Sequence, residues 1–240
     1  MARSPFLVEI RPDREVKEYL REIIDDIQRT FGVHGMASGH VVPHVTLFGP
    51  FNADGYGPVL SGMRTVLESY TVVPYRIEGF DHFRDDVIYA DLATSEELRS
   101  LRRELRRELQ GVTRPKNPGR ETRRHHQHHM TAAFKDINRK FDEIWHYVNE
   151  HYEPFLETYA HRISFLHNRR IVNEWDLLAG EFVGPDGPTE KWSWDRTMEQ
   201  LEAKKCHDDH EVLSKPHQWG LLRRRLHSII GRSRDGSSPP

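Results

Sequence analysis

The chain has 240 residues, 36% hydrophobic and 30% charged, with a formal net charge of -2. That length supports one fair-sized domain or two small packed lobes with a real core. The near-zero charge excludes a global pull towards nucleic acid, so any basic surface must be local. A single cysteine, Cys206, excludes an internal disulfide and zinc sites built on paired thiolates. No apolar run approaches a membrane span and the N-terminus lacks a signal-peptide pattern, so a cytoplasmic protein is expected.

In chain order, Phe6, Val8 and Ile10 alternate with polar positions and predict a first strand over Phe6 to Ile10. Asp13 is placed to cap a helix running to Phe31, with Val16, Leu20, Ile23, Ile24 and Ile27 at helical spacing and Gly32 as its stop. Pro43 to Phe51 then reads Pro-His-Val-Thr-Leu-Phe-Gly-Pro-Phe. In an extended strand His44 and Thr46 share one face while Val45 and Leu47 take the other, towards a core. Phe48-Gly49-Pro50 is expected to break this strand and leave the pair near its end. A second helix follows from Gly57 to Tyr70, then strands over Tyr75 to Phe80 and Val87 to Leu92 around a turn holding Asp85 and Asp86.

The same order then recurs. Ser95 with Leu98, Leu101, Leu105 and Leu109 predicts a helix, and a loop with Pro115, Pro118 and Gly119 leads to His129-Met130-Thr131, a second His-x-Thr strand. Phe141, Ile144, Trp145 and Val148 predict another helix, and Tyr159 to Leu166 another strand. Phe6 to His44 spans 38 positions and Val87 to His129 spans 42; His44 to Tyr75 is 31 and His129 to Tyr159 is 30. No residue-level repeat accompanies this match of order and spacing, which points to two similar lobes facing each other. From Gly184 the composition turns polar, and 186–240 is expected to be a polar and basic extension with a disordered end.

Two histidines approaching one site suit phosphoryl transfer, because an imidazole can take or give a proton near neutrality. Hydroxyls two residues on, at Thr46 and Thr131, can donate to phosphate oxygens and hold the in-line geometry. Proton movement and anion binding are then covered by side chains, so no metal or other cofactor is expected. His161-Arg162-Ile163-Ser164 also fits a loose His-x-Ser pattern. It is rejected because a strand, Ile171 to Leu177, follows it instead of a helix, and alternation groups His161 with the apolar Ile163 and Phe165. His125, His126, His128 and His129 invite a zinc reading, but no carboxylate or thiol stands at a ligand spacing. From Arg99 to Arg124 ten basic residues face three acidic ones. Arg120, Arg123 and Arg124, just before the second motif, are the ones expected to border the site and to meet substrate phosphates.

In these residues the chain resembles the 2H phosphoesterase superfamily, and within it the 2'-5' RNA ligase or cyclic phosphodiesterase (LigT-like) branch. His44-Val45-Thr46-Leu47 resembles the first family motif and His129-Met130-Thr131-Ala132 the second, with Arg162 to Leu166 and Arg170 to Leu177 as a closing hairpin. The resemblance covers roughly residues 5 to 183; the His-rich run before His129 departs from it. It implies an α+β fold of two pseudo-symmetric lobes, each a small antiparallel sheet with packed helices, around a groove bearing both motifs. It implies His44 and His129 as acid and base, and Thr46 and Thr131 as phosphate anchors. The implied reaction is opening of a 2',3'-cyclic phosphate on an RNA end or nucleotide, in some members with reversible 2'-5' joining. A monomer with RNA ends or cyclic nucleotides as partners is expected. The alternatives are a non-catalytic RNA-end binding module and a zinc-binding His-cluster scaffold.

Overall fold

The computed structural model describes residues 5–36, 42–117, 119 and 126–184. All of them fall in the first of two units into which the chain divides, Met1–Thr197. The expected extension 186–240 lies outside the described residues, as do Arg120, Arg123 and Arg124.

Among the described residues, ten strands and four helices run in the order β1 (Phe6–Ile10), α1 (Arg14–Phe31), β2 (Val45–Ala53), α2 (Tyr56–Leu67), β3 (Val73–Phe83), β4 (Val87–Thr94), α3 (Glu96–Leu109), β5 (Thr113–Pro115), β6 (His129–Phe134), α4 (Phe141–His151), β7 (Phe155–Ala160), β8 (Arg162–His167), β9 (Arg170–Asp176) and β10 (Glu181–Val183). They form two antiparallel sheets, one ordered β10-β9-β8-β1-β2-β5 and the other β6-β4-β3-β7. The fold is α+β, as expected.

The helices form where the sequence says they should. Asp13 Oδ1 accepts from the Val16 amide at 2.9 Å and Ser95 Oγ from the Leu98 amide at 3.0 Å, each satisfying one of the open donors of a first turn. Gly32 ends α1 at φ +62, a left-handed cap for which a residue without Cβ is suited. Leu98, Leu101, Leu105 and Leu109 are fully buried, each contributing about 1.5–3 kcal/mol relative to exposure. Through this stripe α3 packs on β2, β3 and α2, while α1 packs on β6 and α4. One continuous apolar core joins both sheets. None of the described helices is long and apolar enough to cross a membrane.

The structure corrects three sequence expectations. Tyr159 to Leu166 is not one strand: β7 belongs to one sheet and β8 to the other, with His161 at the corner between them. The symmetry therefore does not follow the two halves of the chain. The core orders β9-β8-β1-β2 and β7-β3-β4-β6 correspond, so β8, not β7, is the counterpart of β3. Second, Phe48-Gly49-Pro50 does not end β2. The β1–β2 register slips twice between Phe6↔Phe51 and Glu9↔Thr46, so β2 absorbs two extra residues as bulges, with Gly49 at φ +118. The motif pair stands at the start of the strand rather than before a break. Third, the loop after α3 begins with a short edge strand, β5, paired Phe51↔Pro115 and Ala53↔Thr113.

Candidate active site

His44 immediately precedes β2, and the alternation beyond it is as the period of two requires. Val45 and Leu47 are fully buried while Thr46 is half-buried on the opposite face. His44 Nδ1 donates to the carbonyl oxygen of Val42 at 2.9 Å. A carbonyl can only accept, so this contact fixes the proton on Nδ1 and puts the exchangeable lone pair on Nε2.

Sheet pairing places an unexpected polar row beside this motif. Thr46 pairs with Glu9, Glu9 with Ser164, and Ser164 with Glu174, so four strands contribute to one line on one face. Glu9 is buried, with Oε1 accepting from Arg11 Nε at 3.0 Å and Oε2 3.8 Å from His44 Nε2. Ser164 Oγ donates to Glu174 Oε1 at 2.6 Å, and both residues are buried. Arg162 lies across Glu174 and Asp176 at 3.7 and 3.9 Å. Buried carboxylates survive where cations and donors meet them, and each one here has such a partner.

The second motif is built in the same way on β6. His129 pairs with Asp91 and Thr131 with Tyr89 on β4. His129 Nδ1 donates to the Gln127 carbonyl at 3.0 Å, two residues upstream, which repeats the His44–Val42 arrangement. Gln127 in turn donates to Asp91. The His129 ring sits against Phe83, edge-on at 4.9 Å between centroids, and against Tyr89 at 5.0 Å. The Tyr89 hydroxyl donates to Asp81 at 3.0 Å; burial first, and that carboxylate second, raise its pKa and keep it protonated. β2 and β6, though in different sheets, lie against one another.

Of the sequence-predicted residues, His129 and Thr131 share one face of β6, while Thr46 stands on β2 and His44 two residues before it, ahead of the strand. His161, the rejected alternative, is buried at the corner before β8, and burial lowers its pKa. Its companion hydroxyl, Ser164, is engaged by Glu174. In the His-rich run, the His126 and His128 rings meet edge to face at 4.8 Å. His128 is buried, with no hydrogen-bond partner at either ring nitrogen among the described residues, and burial above all pushes its pKa down to about 3. Among the described residues, no three His, Cys, Asp or Glu side chains are grouped so as to hold a metal ion.

Glu9, Arg11, Glu174 and Tyr89 were not foreseen, and Ser164 was weighed only as part of the rejected motif. A signal for Glu9 existed, since it is the acidic residue of opposite parity between Val8 and Ile10 in the predicted strand. Its partners come from β2 and β8, which a reading of one strand cannot supply.

The fold has a solved counterpart. TT0787 of Thermus thermophilus is similar at 14% identity, covering 72% of this chain and 98% of that one, with a TM-score of 0.51. LigT of E. coli complexed with 3'-AMP is similar at 13% identity over 69% of this chain and 88% of that one, TM-score 0.44. Usb1 of Kluyveromyces marxianus is similar at 9% identity over 71% and 97%, TM-score 0.41. At 14% identity the likeness to TT0787 concerns the fold alone. No curated protein matches the chain. The profile of the 2'-5' RNA ligase superfamily matches residues 12–171, a span that contains both His-x-Thr motifs, and the chain belongs to that superfamily.

Proposed function

We propose that this protein opens a 2',3'-cyclic phosphate on an RNA end or nucleotide, using His44 and His129 as paired general acid and base. Membership of the superfamily supports a phosphoesterase or RNA-ligase function in general terms. The observation that carries the narrower reading is the matched locking of both rings. Each motif histidine donates Nδ1–H to the carbonyl two residues before it, at 2.9 and 3.0 Å, and so exchanges protons at Nε2.

One imidazole takes a proton from water through Nε2 as the water oxygen bonds to phosphorus. The bond from phosphorus to one ribose oxygen breaks, and that oxygen receives a proton from the other imidazole. The ring opens to a phosphomonoester beside a free hydroxyl. Running the same steps with a ribose hydroxyl in place of water gives 2'-5' joining. Each proton-transfer group is worth on the order of 10²–10⁴ in rate. Thr46 and Thr131 donate hydroxyl bonds to the non-bridging oxygens, and Arg120, Arg123 and Arg124 meet further phosphates of an RNA substrate.

Incubation of the full chain with 2',3'-cyclic AMP, with and without EDTA, tests this reading. Formation of a phosphomonoester at an unchanged rate in EDTA is expected. Absence of product, or activity lost with the chelator, refutes it.

A further inference from the structure

Arg11 belongs to neither motif, yet it stands beside the first. The β1–β2 register ends at Ile10↔Val45, the chain neighbours of Arg11 and His44. Glu9 lies between them on the same face, with one oxygen 3.0 Å from Arg11 Nε and the other 3.8 Å from His44 Nε2. One buried carboxylate thus serves both the guanidinium and the ring nitrogen that exchanges protons. The Glu9 side chain is 3% exposed and that of Arg11 27%, so the anchor is fixed while the guanidinium reaches the surface. Beyond Nε, the Arg11 guanidinium makes no further hydrogen bond among the described residues.

We propose that Arg11, held through Nε by Glu9, is a phosphate-binding residue of this site, its terminal nitrogens taking the phosphoryl oxygens of a nucleotide beside His44. This rests on the proposed function. A guanidinium keeps its positive charge at any working pH and offers its remaining donors as a planar fork, the geometry that fits two oxygens of one phosphate. Fixing Nε removes rotamer freedom that a mobile surface arginine would lose on binding. A phosphoryl group within reach of His44 Nε2 therefore meets a standing positive charge, and Thr46, in the adjacent row, faces the same group. Glu9 is a positioning residue in this arrangement.

A merely structural Arg11 that neutralises Glu9 would matter for stability and not for ligand affinity, and the two roles separate in one experiment. Calorimetric titration of the full chain would use adenosine 3'-monophosphate, with adenosine as the phosphate-free control. Arg11→Gln should weaken the monophosphate about 10- to 100-fold and leave adenosine unchanged, as expected for the loss of charge-assisted hydrogen bonds. Arg11→Lys, which keeps the charge opposite Glu9 but not the fork, should fold normally and still lose about 3- to 10-fold. Glu9→Gln, which keeps an oxygen for Arg11 Nε, should weaken binding less than Glu9→Ala. Parent-like monophosphate affinity in folded Arg11→Lys and Arg11→Gln overturns the assignment. Equal losses in the two Glu9 variants overturn the positioning role. If the parent opens 2',3'-cyclic AMP while these variants keep their affinity, only Arg11 is misassigned. A parent that neither binds the monophosphate nor opens the cyclic substrate removes the proposed function as well.

Discussion

His128 should make this protein acid-sensitive in a way that one substitution removes. Burial, then the neighbouring His126 and Arg102, lower its pKa from 6.5 to about 3. The depressed value means the unfolded chain binds the proton more readily. The neutral imidazole therefore contributes stability that is present above pH 6.5 and lost progressively as pH falls towards the folded value. At pH 5 an unfolded imidazole of ordinary pKa is almost wholly protonated, which favours unfolding by about 2 kcal/mol; at pH 7 the same term is about 0.2 kcal/mol. Any folded value below about 4 gives the same figure at pH 5, so the magnitude rests on the burial rather than on the particular number. Urea unfolding of the parent and of His128→Phe at both pH values isolates the term from the other titrating groups. The parent should lose about 2 kcal/mol more than the variant between pH 7 and pH 5. Equal losses would show that His128 is not buried neutral in the folded state, and would refute the reasoning. At pH 7 His128→Phe should be at least as stable as the parent, because both ring nitrogens lack hydrogen-bond partners among the described residues.

Further outcomes follow from the site and its supports. Ser164→Ala should cost about 1.5–3 kcal/mol in chemical unfolding, since it strips a 2.6 Å hydrogen bond from the buried Glu174 carboxylate. His161→Ala should lower stability by about 1–3 kcal/mol and leave turnover per folded molecule nearly unchanged; a loss of turnover as deep as that of His129→Ala would restore the rejected motif. Gly35→Ala should cost about 1–3 kcal/mol, because its Cβ would overlap the Phe134 carbonyl oxygen. In that variant amide exchange should speed up at residues 34 and 35, whose N–H groups donate to Asp136 at 2.6 and 2.9 Å in the parent. An RNA oligomer ending in a cyclic phosphate should bind more tightly than a cyclic mononucleotide, with an advantage that shrinks as salt rises and in the Arg120, Arg123 and Arg124 triple Ser variant. Parallel salt slopes for the two ligands would make those arginines a solvated surface.

What could be read from the sequence was local. The apolar spacing of α1 and α3, their caps at Asp13 and Ser95, and the alternation of Val45, Thr46 and Leu47 are properties of a few consecutive residues. The structure reproduces each of them. What escaped was set by partners distant in the chain. Phe48-Gly49-Pro50 reads as a break, yet pairing with β1 and β5 on either side carries β2 through it by bulges. Tyr159 to Leu166 reads as one run, and only the competition between two sheets divides it at His161. The row from Thr46 through Glu9 and Ser164 to Glu174 joins residues from four strands, so no single motif could announce it.

The central claim, that His44 and His129 act as one proton relay, is tested most directly by turnover of 2',3'-cyclic AMP in His44→Ala, His129→Ala and the double variant. Groups that act as a unit are not additive, so losing either member should cost nearly as much as losing both. Each single variant should fall by about 10²–10⁴ while remaining folded, with the double variant no lower than the worse single. Full activity in either single variant, or two losses that multiply in the double, would contradict the account.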